Sequence, residues 1–151
     1  MRILLVRHAD AVLETATVPD EYRYLSPAGR HQVRELAALL AEAGLELGAV
    51  MSSPLVRAVQ TAELLVRWLD WNGSIEATHY LAPGGATARA TADWLARCAE
   101  PLAGATLVAV GHEPAMSHLV HVLGDASVSS LRKAEACFIE DGALRWRLEP
   151  Q

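Results

Sequence analysis

An alternation constrains this chain more than any other feature. Short continuous apolar runs, RILLVR at 2–7 and ATLVAV at 105–110, are separated by longer stretches whose apolar residues fall at helical spacing. A run that is apolar at every position suits a strand buried on both faces, and such strands belong to parallel sheets covered by helices. Two further strands are expected between them, GAVMS at 48–52 and a short one at 74–78. Strands alternating with helices imply right-handed βαβ units.

Helix signals fill the gaps. Ser26-Pro27 reads as an N-cap followed by proline at the first helical position, and Val33, Leu36, Ala37 and Leu40 then recur on one face until Gly44. Ser53-Pro54 repeats the cap-and-proline signal and predicts a helix to about residue 70. The APGGA loop at 82–86 leads to a helix over about 88–100, and a last helix carries Met116, Leu119, Val120 and Leu123 on one face. Near the C-terminus, AEACFI and LRWRLE flank Glu140-Asp141-Gly142, a hairpin turn signal. Aromatics make up only 5% of the chain, which disfavours an aromatic-rich β-sandwich. The expectation is an α/β fold: a three-layer α/β/α sandwich in one domain over 1–151, its sheet mostly parallel with a C-terminal antiparallel hairpin. Residues 8–25 are expected to form a long polar loop, and loops of that length in compact domains are often functional.

Charge and composition narrow the function. The formal net charge is −5 with no lysine or arginine run, which argues against a nucleic-acid partner. No apolar run approaches the roughly 20 residues that cross a bilayer, and MRILLVRHAD is charged too early for a signal peptide. No membrane partner and a cytoplasmic location are therefore expected. Cys98 and Cys137 form no CxxC and read as buried free thiols. His118 and His121 sit at i, i+3 without a carboxylate or cysteine cluster, so they read as surface or packing residues and no metal is expected. His31 and His79 suggest no partner, and Trp68, Trp71, Trp94 and Trp146 read as packing residues.

Ligands of parallel sheets bind at the carboxyl ends of the strands. The first strand ends in Arg7-His8, the second in Ser52-Ser53-Pro54 with Arg57 a turn later, and the central one in Gly111-His112. Parallel pairing would gather two histidines, two guanidiniums and two helix N-termini on one edge. Planar guanidinium forks suit phosphate, and arginine outnumbers lysine twelve to one. A neutral imidazole can attack phosphorus, and Arg7 and Arg57 would lower the pKa of His8 by repelling the imidazolium. Ser52 and Ser53 read as helix caps.

These residues also carry a resemblance. Val6-Arg7-His8-Ala9 resembles the RHG signature of the histidine phosphatase superfamily, with its phosphoglycerate-mutase-like fold. Ser52 to Thr61 (SSPLVRAVQT) resembles the second motif, SSPxxRAxQT, and Val110-Gly111-His112-Glu113-Pro114 the third. The short chain and the GHEP sequence are similar to the small phosphohistidine phosphatases of the SixA-like branch. The resemblance implies that His8 is the nucleophile and that Arg7, Arg57 and His112 bind phosphate, with no cofactor.

Two departures stand out. Alanine follows His8 where the signature has glycine. Larger members carry a glutamate general acid after the third strand, whereas His79-Tyr80-Leu81-Ala82-Pro83-Gly84-Gly85 holds no carboxylate. Without a proton donor an aliphatic alcohol leaves poorly, whereas the nitrogen of a phosphoramidate can be protonated before the P–N bond breaks. The expected partner is therefore a protein phosphohistidine. The alternatives are a small phosphate ester (a sugar or nucleotide phosphate) and a phosphate-binding module without catalysis. Asp10 and Glu113 are further candidates for substrate contact or proton donation, and Glu113 equally suits a helix N-terminus.

Overall fold

A computed structural model describes all 151 residues. Its centre is a six-stranded sheet: β1 (Arg2–Arg7), β2 (Leu47–Ser52), β3 (Ile75–Ala77), β4 (Thr106–Gly111), β5 (Ala136–Glu140) and β6 (Ala143–Leu148). The spatial order is β3-β2-β4-β1-β5-β6. β3, β2, β4 and β1 run parallel, while β5 and β6 pair antiparallel with their neighbours. The expected mostly parallel sheet with a C-terminal hairpin is what forms. Asp141 and Gly142 both take positive φ at the hairpin turn, +50° and +80°.

The four helices are α1 (Pro27–Ala43), α2 (Val56–Trp68), α3 (Ala88–Ala99) and α4 (Ala115–Gly124). The apolar runs dictate the layering, because alternate residues of one strand face opposite cores. Leu4 and Val6 of β1 join Val108 and Val110 of β4 in a cluster with α1 and α2. Ile3 and Leu5 join Leu107 and Ala109 in a second cluster with α3 and α4. Burying an aliphatic side chain of this size contributes about 1.5–3 kcal/mol.

The local signals mostly hold. The Ser26 hydroxyl accepts from the Gly29 amide at 3.0 Å, Pro27 opens α1, and Gly44 closes it at φ +72°. Two expectations need correction. The helix after β2 begins at Val56, so Ser53-Pro54 is no cap-and-proline start. The Ser53 hydroxyl instead accepts from the Leu55 amide at 3.2 Å and lies 2.8 Å from His112. Trp68 is 49% exposed and lies under the Arg34 guanidinium, 4.7 Å from its ring, so it is a surface residue rather than a core one. Trp94 and Trp146 stack on Tyr80 and Phe138, as packing residues should. Both cysteines are free thiols, Cys137 buried and Cys98 partly so. No helix is long and apolar enough to cross a membrane.

Candidate active site

Register brings the three strand ends together. Arg7 of β1 pairs with Gly111 of β4, and Ser52 of β2 with Val110. The ladder extends one residue further: the His8 amide donates to the Gly111 carbonyl at 3.0 Å, and the Ser53 amide to Val110 at 2.9 Å. The residues just beyond, His8, Ser53 and His112, are thereby set side by side. The His8 and His112 rings lie 5.1 Å apart, centroid to centroid.

His8 is buried, with 7% of its surface exposed. Its Nδ1 lies 2.8 Å from the carbonyl of Ala9, which can only accept, so Nδ1 carries the proton and Nε2 keeps its lone pair. Its pKa is pushed down to about 4, chiefly by burial and then by the positive charges of Arg57, Arg7 and Arg23. The direction matches the sequence expectation, but desolvation outweighs the arginines as its cause. His112 is pushed down to about 3, again first by burial. Both imidazoles are neutral at pH 7.

Both expected arginines reach the site. Arg7 donates through Nη1 to the Leu131 carbonyl at 2.8 Å, and Arg57 through Nη1 to the Asp20 carbonyl at 2.8 Å. The Nε atoms of both are buried without a hydrogen-bond partner. A buried donor left unsatisfied costs about 1–3 kcal/mol, more when charged. Two such guanidinium donors beside two neutral imidazoles suit a tetrahedral oxyanion.

Asp10 and Glu113 are engaged elsewhere. The Asp10 carboxylate takes Lys133 at 2.6 Å and the Ser26 hydroxyl. Glu113 accepts from the Ser117 amide at 3.0 Å and the Ser117 hydroxyl at 2.7 Å, capping the first turn of α4. His118 and His121 lie on the exposed face of α4, and no three metal-ligating side chains converge anywhere in the fold. His79 stacks on Tyr80, and His31 pairs with Glu35 on α1, a partner that the sequence reading did not identify.

Asp20 and Arg23 escaped the sequence reading, and Thr61 and Ser53, both within the second motif, make contacts it did not foresee. Thr61 accepts from the Ala9 amide at 3.0 Å and donates to the Arg57 carbonyl at 2.8 Å. Ser53 holds His112. Asp20 opens a 3-10 turn (Asp20–Tyr22) in the 8–25 loop and Arg23 follows it; the two pair at 3.2 Å, and Asp20 also pairs with Arg57. Their i, i+3 spacing was visible, but nothing local ties Asp20 to Arg57, 37 residues later. Beside His112 a pocket of about 200 Å³ opens between the 80–88 segment and the start of α4, lined by Tyr80, Leu81, Pro83, Met116 and Leu119 among others.

Comparison with known proteins agrees with this geometry. The sequence model of the histidine phosphatase superfamily (branch 1) matches residues 3–82. An uncharacterized protein of Picosynechococcus is 30% identical over 148 residues, 96% of this chain and 88% of that one. The phosphohistidine phosphatase SixA of Escherichia coli is 29% identical over 156 residues, spanning 99% of this chain and 94% of SixA. A solved structure of the protein histidine phosphatase SixA complexed with tungstate superposes with a TM-score of 0.88 at 26% identity, covering 99% of this chain and 97% of that one.

Proposed function

Because the chain belongs to the histidine phosphatase superfamily and is a phosphatase of that type, we propose that its substrate is a phosphohistidine on a protein and that His8 carries the phosphoryl group in transit. Arg7 and Arg57 hold the equatorial oxygens, and His112, set by Ser53, meets the same group. Phosphoryl transfer passes through a loose transition state that asks mostly for position and charge, and this set of residues supplies both. His8 Nε2 forms the P–N bond as the bond to the leaving group breaks. Water then releases phosphate from His8.

One observation carries the choice of substrate. The pocket beside His112 is mainly apolar, and its only carboxylate, Glu113, is committed to Ser117. No free carboxylic acid stands ready there for an alcohol. An imidazole needs none, since its nitrogen can be protonated in water before the P–N bond breaks. The full-length similarity to SixA supports the same reading.

The test is the clearance of phosphohistidine from a labelled phosphotransfer protein. The unmodified enzyme should remove the label and His8→Ala should leave it. A His8→Ala variant with unchanged activity excludes His8 as the carrier.

A further inference from the structure

Glu135, the residue before β5, is the only buried carboxylate of the chain, with 3% of its surface exposed. A carboxylate goes that deep only when its oxygens are paired. We propose that Glu135 is a positioning residue for Arg7: it orients the peptide unit whose carbonyl holds the Arg7 guanidinium. The proposal rests on Arg7 as a ligand of the phosphoryl group.

The two contacts share one plane. Arg7 Nη1 donates to the Leu131 carbonyl at 2.8 Å, and the Arg132 amide donates to Glu135 Oε1 at 2.8 Å. That carbonyl and that amide belong to the same peptide bond, which is planar and trans, so they point in opposite directions. Rotating the plane away from the carboxylate swings the carbonyl away from Arg7. The peptide dipole also suits both ends, with its negative carbonyl toward the guanidinium and its N–H toward the carboxylate. Hydrogen bonds in such a chain polarise one another.

Arg7 depends on this peptide more than Arg57 depends on any one group. The Leu131 carbonyl is the only hydrogen-bond partner of the Arg7 side chain, and its Nε is buried without one. Arg57 has both the carbonyl and the carboxylate of Asp20. With one anchor, the direction of that carbonyl decides where the free Arg7 donors point.

The carboxylate is itself fixed. Its Oε2 accepts from Arg147 Nε of β6 at 2.6 Å. The Glu135 amide donates to the Arg132 carbonyl at 3.0 Å and closes the turn, and the Arg7 amide donates to the Glu135 carbonyl at 3.1 Å. A well-packed apolar residue often stabilises a fold as much as a buried ion pair does. It could not accept from the Arg132 amide.

The test is a double-mutant cycle read by calorimetry with inorganic vanadate, a phosphoryl mimic whose binding needs no turnover. Glu135→Leu should weaken vanadate binding about tenfold, a common coupling within one hydrogen-bond network, and should change nothing when Arg7→Ala is already present. Glu135→Gln, which keeps an oxygen for the Arg132 amide, should recover most of the affinity. Should Glu135→Leu not fold, Arg147→Ala takes its place in the cycle: it frees the carboxylate from behind and should weaken binding about twofold, again only where Arg7 is present. A loss of the same factor with and without Arg7 would mean that Glu135 only supports the fold, and overturns the proposal. Parent affinity in Glu135→Leu overturns it as well. If Arg7→Ala alone binds vanadate as tightly as the parent, Arg7 is no phosphoryl ligand, and the reading beneath fails instead.

Discussion

His8, the proposed nucleophile, is held neutral and in one tautomer by its surroundings. The Ala9 carbonyl fixes the proton on Nδ1, and burial together with three arginines keeps the ring from charging. With neutral His8 as the proposed nucleophile, activity should survive into acid. After correction for the substrate's own ionisation, kcat/KM should fall only as pH drops through about 4. A limb near 6.5 would mean that His8 is solvated and unperturbed. Arg57 makes a second prediction. Losing one charge-assisted donor to a reacting oxyanion costs on the order of 10²-fold or more in kcat. Arg57→Ala should lose that much, and its circular dichroism should match the parent. Unchanged kcat/KM would place Arg57 outside the site. At this scale His8, Arg7, Arg57 and His112 were legible because each sits at a strand end or on the turn that follows. Asp20 was not, because a carboxylate in a polar loop has no periodicity and its partner is 37 residues away.

The elements are coupled through α2. Its Gln60 side chain accepts from the Leu25 amide at 2.8 Å, and Thr61 accepts from the Ala9 amide. One turn of helix thus carries Arg57, the proposed phosphate ligand, and pins both ends of the 8–25 loop. α1 presses on the same loop: a Cβ at Gly29 would come within 2.0 Å of the Asp10 carbonyl oxygen, so only glycine allows this approach. Thr61→Val keeps the volume but leaves the Ala9 amide buried and unpaired, at a cost of about 1–3 kcal/mol. Urea denaturation should show the loss, and activity should fall with it because His8 adjoins that amide. A midpoint unchanged within error would mean that the loop is held by other contacts. The strands and the ends of α1 could be read from apolar runs, a proline and a glycine. The start of α2 could not, because Ser53 offers the same hydroxyl to a helix amide or to a histidine across the sheet, and only the packed sheet decides between them. Trp68 misled for a similar reason, since an indole under an arginine looks in sequence like an indole in a core.

At the scale of the whole molecule, the parallel register turns three distant segments into one site, and the same burial makes the fold acid-sensitive. His8 and His112 are neutral in the folded chain down to about pH 4 and 3, whereas in the unfolded chain they titrate near 6.5. Between those values the unfolded state binds more protons, so stability rises with pH across this window and is lost as pH falls. Urea midpoints should drop from pH 7 to pH 5, and the drop should shrink in His112→Phe. An equal drop in that variant would assign the acid sensitivity elsewhere. Catalysis by guanidiniums and imidazoles alone should also leave the rate unchanged by EDTA, and a rate abolished by EDTA and restored by zinc would refute that mechanism. Substrate choice is read most directly from kcat/KM for a phosphohistidine protein against that for a sugar phosphate on the same enzyme. With no free carboxylic acid for an alkoxide, the phosphohistidine should be favoured by about 10²-fold or more, the usual contribution of a general acid. A sugar phosphate turned over as efficiently or better would contradict the account.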